Sequence, residues 1–194
     1  IAEEYTNRLI NALKLLKVCE PHEKECDMGP LVSEQAACEV ENKVNQTIKQ
    51  GARCVFGGKR YNKTYFEPTV LKDVTADMDI AKDMEIFGPV VPIIEFEEND
   101  EAIKIANQTK YGLSGGVIGR DIKAALSTAL KLESGTTVVN GCGDYRTLYT
   151  PFGGHKMSGI GTEGLMLTLE EMMLTKCVAL KGIVEESVSE SVLR

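Results

Sequence analysis

The stretch VVPIIEFEENDEAIKIANQTKYGLSGGVIGRDIKAALSTALKLESGTTVV, residues 90–139, decides the fold. It opens on an apolar run, VVPIIEF, passes through residues 100–108 with the apolar spacing of a helix, and returns to a strand-like run at 115–118. The unit then repeats. Asp121 stands where a helix N-cap belongs, the helix runs to Leu132, Gly135 stops it, and TTVV at 136–139 gives one more buried strand. Strands alternating with helices of this length predict crossover connections and a mostly parallel sheet covered on both faces. The expected fold class is α/β, a three-layer sandwich.

Working outward, Tyr5, Leu9, Leu13 and Leu16, with Ala12, recur at three- and four-residue spacing and predict an amphipathic helix over 2–17, ended by Pro21 and the polar residues to Asp27. Ser33 is a natural N-cap for a second helix that reaches Lys49 and is closed by Gly51. Residues 53–56 and 65–71 predict strands, the second carrying Pro68 and so suited to an edge. Beyond Val139, residues 140–164 form a loop too long for a simple connector, and loops of that kind carry function. Residues 165–173 predict a helix and 175–180 a strand. The length suits one domain, taken as residues 1–182, followed by a polar tail at 183–194. The chain opens on Ile1, not Met, already inside a helical pattern, so it is expected to be a piece of a longer protein.

Hydrophobic residues make up 43% and charged residues 26%, the balance of an ordinary folded protein. The net charge of −7 arises from acids spread along the chain, with no basic cluster to meet a phosphate backbone, which disfavours nucleic-acid binding. No apolar run is long enough to cross a bilayer and the first residues do not form a signal peptide, so no membrane partner and a cytoplasmic location are expected. Six cysteines lie scattered without a CxxC pair, which predicts reduced thiols and no metal site.

Two segments carry the chemistry: MEIFGPVVPI at 84–93, where an acid and an aromatic precede a Gly-Pro turn, and PFGGHKMSGIG at 151–161, where glycines let the backbone pack tightly around Phe152. Together with MGPLVS at 28–33, YFEPTVL at 65–71, YGLSGGV at 111–117 and SGTTVVN at 134–140, they resemble the aldehyde dehydrogenase superfamily, in that family's order and spacing and over nearly the whole chain.

The resemblance implies the C-terminal, catalytic-domain part of a non-acylating enzyme that oxidises an aldehyde to the acid with NAD or NADP. It assigns Glu85 to the nicotinamide-ribose hydroxyls, which a carboxylate can accept from in pairs, and Phe87 to the nicotinamide side. It places Tyr145, Arg146, Tyr149 and Phe152 along the aldehyde entrance, with Arg146 a possible partner for a carboxylate or phosphate on the substrate. It likens the strand at 175–180 to one added to a neighbouring subunit's sheet, implying a homo-dimer or tetramer. Met84, Thr162, Ala36 and Glu39 depart from common family choices, which leaves NAD against NADP open.

By the same resemblance the nucleophilic cysteine, which forms the thiohemiacetal and thioester, precedes Ile1, and the general-base glutamate lies further upstream. No catalytic residue is then expected in this chain, and by itself it should be inactive. Two rivals stand beside this reading: a truncated, non-catalytic homologue acting as a binding or assembly module, and an unrelated hydrolase built on Cys142 and His155.

Overall fold

The structure, a computed structural model, describes residues 1–182; the polar tail expected at 183–194 lies outside the described residues. The first helix, α1 (Ala2–Leu13), stops earlier than its pattern. Leu15 N bonds Ala12 O at 3.1 Å and Leu16 N bonds Leu13 O at 3.2 Å, so the last turn tightens to three-residue spacing and leaves both leucines exposed. The second helix, α2 (Glu34–Lys49), has the boundaries and the cap its sequence predicts: Ser33 Oγ accepts from Ala36 N at 3.1 Å.

Four short strands follow: β1 (Arg53–Phe56), β2 (Arg60–Tyr61), β3 (Tyr65–Phe66) and β4 (Thr69–Lys72). The strand expected over 65–71 is thus cut in two at Pro68, which has no N–H to give to a ladder. The upstream half pairs with β2 and the downstream half with β1, both antiparallel. After a single 3-10 turn at Asp79–Ala81 comes β5 (Val90–Pro92), parallel to β4 at the sheet edge, where Pro92 is tolerated. Val40 and Val44 of α2 meet Phe66, Leu71, Val74 and Met78 in the core beneath this sheet.

The second half holds α3 (Asn99–Asn107), β6 (Tyr111–Gly112), β7 (Ser114–Val117), α4 (Ile122–Ala129) and β8 (Thr136–Val139). Here the elements of the decisive stretch occur in the expected order, but β5 covers only Val90–Pro92 of the run VVPIIEF and α4 ends at Ala129, short of Leu132. Asp121 caps α4 by accepting from Lys123 N at 2.9 Å and Ala124 N at 3.1 Å, and β7 and β8 are parallel across that helix. The molecule is α/β, with mixed rather than uniformly parallel sheets: β2 and β3 return over a connection too short for anything but antiparallel pairing, and β1 also pairs antiparallel with β4. Among the described residues β5 and β7 share no ladder.

The long loop is not bare. It contains β9 (His155–Lys156), antiparallel to β6, and a bridge between Phe152 and Glu163, before α5 (Leu165–Glu171). Three expectations need correction. β4, from the strand expected at an edge, lies between β1 and β5 in the centre of its sheet. Residues 175–180 form no strand, since no neighbouring strand of the described chain offers them a ladder, and they lie exposed. Cys19 and Cys26 are joined as a disulfide rather than reduced, because the chain reverses at Pro21 and brings their Cα atoms to 5.6 Å.

Candidate active-site cleft

The segment bearing Glu85 is tied to α2. Gln46 and Gln50 both donate to Asp79 Oδ2 at 2.7 Å, Met84 N bonds Asp79 O at 3.1 Å, and Lys43 Nζ donates to the Glu85 carbonyl at 2.7 Å. Gly88 presses against α2 so closely that a Cβ there would lie 2.7 Å from Val40 Cγ2. With the backbone held in this way, the exposed Glu85 carboxylate is left without a salt-bridge partner among the described residues and stands at the rim of a cavity of about 510 Å³.

The far side of that cavity is built by the glycine-laced turn and by β6. Asp83 accepts from Lys110 N at 2.8 Å, Met157 N bonds Lys110 O at 2.9 Å, and Gly112 N donates to Ser158 Oγ at 2.9 Å. Met157 and Ser158 therefore line the same cavity as Glu85, together with Gly112, Leu113 and Ser134. Lys156 pins the turn from behind: its ammonium donates to Asn107 O at 2.7 Å and Thr109 O at 3.0 Å and pairs with Glu133 at 2.7 Å. All three of its protons are used, two of them on carbonyls at or just past the C-terminus of α3, where a cation is favoured. Gly135 completes the approach, since a Cβ there would lie 1.7 Å from Gly153 O.

The other expected site residues are distributed more widely. Phe87 is 77% exposed and faces a separate cavity of about 640 Å³, lined also by Met28, Pro30, Val32 and Phe66. Arg146 stacks on the Phe152 ring at 4.0 Å and pairs with Glu163 at 3.3 Å, which brings those two together. Arg146 opens onto a cavity against α5 with Leu165, Leu169 and Met172, whereas Phe152 lines one that shares Leu113 and Ser158 with the Glu85 cavity. Tyr145 and Tyr149 project outward, 61% and 75% exposed.

Met157, Ser158 and Lys156 were not among the site residues that the sequence singled out. The signal lay in the glycines of three motifs: Gly135 of SGTTVVN meets Gly153 of PFGGHKMSGIG, and Gly112 of YGLSGGV pairs with His155 of the same turn.

Neither thiol of interest is activated. Cys142 Sγ is directed to Asp144 Oδ1 at 2.7 Å rather than to His155, and that hydrogen bond, with the adjacent negative charge, raises the thiol above its ordinary value. His155 pairs through its backbone in β9 opposite Gly112 and is exposed. Burial likewise pushes the Cys54 thiol up.

A model of the aldehyde dehydrogenase family matches residues 1–178. The chain belongs to the aldehyde dehydrogenase family. It is 38% identical over 183 residues to a lactaldehyde dehydrogenase of Methanococcus maripaludis, an alignment that takes in 94% of this chain and 39% of that protein. The glyceraldehyde-3-phosphate dehydrogenase of Methanocaldococcus jannaschii, solved with NADP, superposes with a TM-score of 0.83 and 40% identity over 89% of this chain and 37% of that one. A betaine aldehyde dehydrogenase of Staphylococcus aureus in complex with NAD+ gives a TM-score of 0.82 and 35% identity over 90% and 35% of the two chains. The chain thus spans well under half the length of these family members.

Proposed function

We propose that this chain supplies two walls of the cleft of an NAD- or NADP-dependent aldehyde dehydrogenase, which oxidises an aldehyde to its carboxylic acid in the cytoplasm. The observation that carries the reading is the single cavity with Glu85 on one side and Met157 and Ser158 of the glycine turn on the other. Its volume of about 510 Å³ falls within the size range of cofactor and small-ligand sites. The residues present fit a nicotinamide ribose: among the described residues no cation pairs with the Glu85 carboxylate, and its two oxygens can accept from two neighbouring hydroxyls at once. Phe87, although exposed, lines a cavity separate from that of Glu85 and does not carry this reading. Relatives solved with NADP and with NAD+ support both cofactors.

When bound, the nicotinamide supplies the hydride acceptor. The chain's own part is to hold and orient. Lys43 and Lys156 fix the two walls, Phe152 and Arg146 brace the aldehyde entrance, and Tyr145 and Tyr149 stand on the loop that meets the substrate. The attacking thiolate is assigned to a cysteine other than the six here: none of Cys19, Cys26, Cys38 and Cys177 lines the Glu85 cavity, and the Cys54 and Cys142 thiols are raised above their ordinary value. Incubated with NAD or NADP and a panel of aldehydes, this 194-residue chain is expected to form no reduced nicotinamide above the uncatalysed background. Turnover at about one per second or faster, the ordinary range of enzymes, would overturn the assignment of the nucleophile.

A second reading, an assembly module, draws on the apolar face of α4, where Ile122, Leu126 and Leu130 lie exposed at helical spacing. It predicts that the chain associates with a family-length subunit without contributing to a nicotinamide contact, whereas the cleft reading requires that contact. Self-association into a homo-oligomer is compatible with both.

A further inference from the structure

The chain between Lys17 and Met28 forms a ring. Cys19 and Cys26 are disulfide-bonded across a separation of seven residues, and the backbone closes beside them. Cys19 N donates to Met28 O at 3.0 Å, while Asp27 N and Met28 N donate to Lys17 O at 3.0 and 3.2 Å. Residues inside the ring reach out to its surroundings: Tyr65 Oη donates to Glu20 at 2.5 Å, and Pro21 abuts Gly29 so closely that a Cβ there would lie 3.1 Å from Pro21 Cγ. The segment leaving the ring, residues 27–32, is one wall of the cavity of about 640 Å³, opposite Phe66, Phe87 and Pro89. Leu31 N bonds Thr64 O at 2.8 Å and fixes the far end of that wall.

The ring residues from Glu20 to Glu25 are exposed, and both cysteines are half-buried at its neck. A small thiol can reach the bridge, unlike a disulfide sealed in a core. In a reducing compartment a disulfide that forms at all is usually a redox-responsive one.

We propose that Cys19 and Cys26 are a reversible dithiol–disulfide couple, and that its state sets how firmly the wall at residues 27–32 is held. The exchange is balanced. A thiolate of a dithiol reductant attacks one sulfur of the bridge and forms a mixed disulfide as the other cysteine leaves as thiolate. The reductant's second thiol then closes on the first, releasing the remaining cysteine, so that two electrons and two protons have passed to the protein and the reductant is a cyclic disulfide. A low-molecular-weight disulfide such as oxidised glutathione runs the reaction backwards. Reduction opens the covalent ring and leaves the neck to its three backbone bonds and to the bond from Lys17 N to Asp27 Oδ2 at 2.8 Å, all of them on exposed chain that opens readily, with Leu31 still tied to Thr64 at the far end.

The test uses the 194-residue chain. After treatment with oxidised glutathione, Cys19 and Cys26 should resist iodoacetamide, and after dithiothreitol both should be alkylated, as located by peptide mass spectrometry. Hydrogen exchange at the Asp27, Met28 and Leu31 amides should be roughly tenfold faster in the reduced form. The Cys19→Ser, Cys26→Ser double variant should exchange like the reduced wild type, and if it does not fold, the two forms of the wild type decide alone. Free alkylation of both cysteines in the oxidised sample would overturn the couple. Identical exchange in oxidised and reduced protein would overturn its hold on the wall. Neither readout depends on nicotinamide binding, so the inference stands or falls apart from the proposed dehydrogenase cleft.

Discussion

Cys142 illustrates how a single neighbour decides what a residue can do. It lies in the loop expected to meet substrate, and a histidine follows thirteen positions later in sequence, yet its proton is committed to Asp144 at 2.7 Å. A carboxylate beside a thiol disfavours the thiolate, which is the reactive form. Alkylation of Cys142 by iodoacetamide should therefore be slower at neutral pH than that of a free cysteine. The rate should rise with pH and still be rising at 9.0, the ordinary value from which this thiol is raised. Asp144→Asn removes the hydrogen bond to a carboxylate and its negative charge, and should raise the alkylation rate at neutral pH. A Cys142 that labels first among the free thiols of the unmodified chain would restore the rival built on Cys142 and His155.

At the scale of elements, the cleft exists because three loops of backbone come unusually close. Gly135 at the end of the α4–β8 connection packs on Gly153 of the turn and donates to Gly112 O at 3.0 Å, and β9 pairs with β6 alongside. Gly135→Ala would drive a methyl to within 1.7 Å of Gly153 O, so the turn must move. The variant should lose about 1–3 kcal/mol of stability, the usual cost of overpacking, as measured by urea denaturation. It should also shift the resonances of Met157 and Ser158, which the turn carries into the cavity. Local sequence made the elements themselves legible. The Ser33 and Asp121 caps and the TTVV strand are set by side chains next to the backbone they serve, and all fall where expected. What escaped depends on distant partners. Pro68 splits a strand because β2 and β1 claim its two halves, and Cys19 finds Cys26 because the chain happens to reverse between them.

At the scale of the whole molecule, the EIFGP segment and the PFGG turn are separated by more than sixty residues of sequence yet share one cavity through Glu85, Met157 and Ser158. The family motifs named those segments but not which of their residues would face each other. Phe152, chosen as a pocket wall, looks into a neighbouring cavity, and Met157, which was passed over, faces Glu85's. Periodicity gives the face of an element, whereas the register of a glycine turn depends on the close backbone contacts around it. The exposed apolar side chains of α4 and α5 show how much surface this length of chain leaves uncovered. The account is tested most directly by adding NADP, and separately NAD, to protein carrying labelled methionine methyl groups and recording nuclear Overhauser contacts to the nicotinamide-ribose protons. Those protons should contact the Met157 methyl, assigned through Met157→Leu, and the contact should vanish in Glu85→Gln. Ribose contacts confined to other methionines, or a Met157 contact unchanged in Glu85→Gln, would contradict the shared cleft.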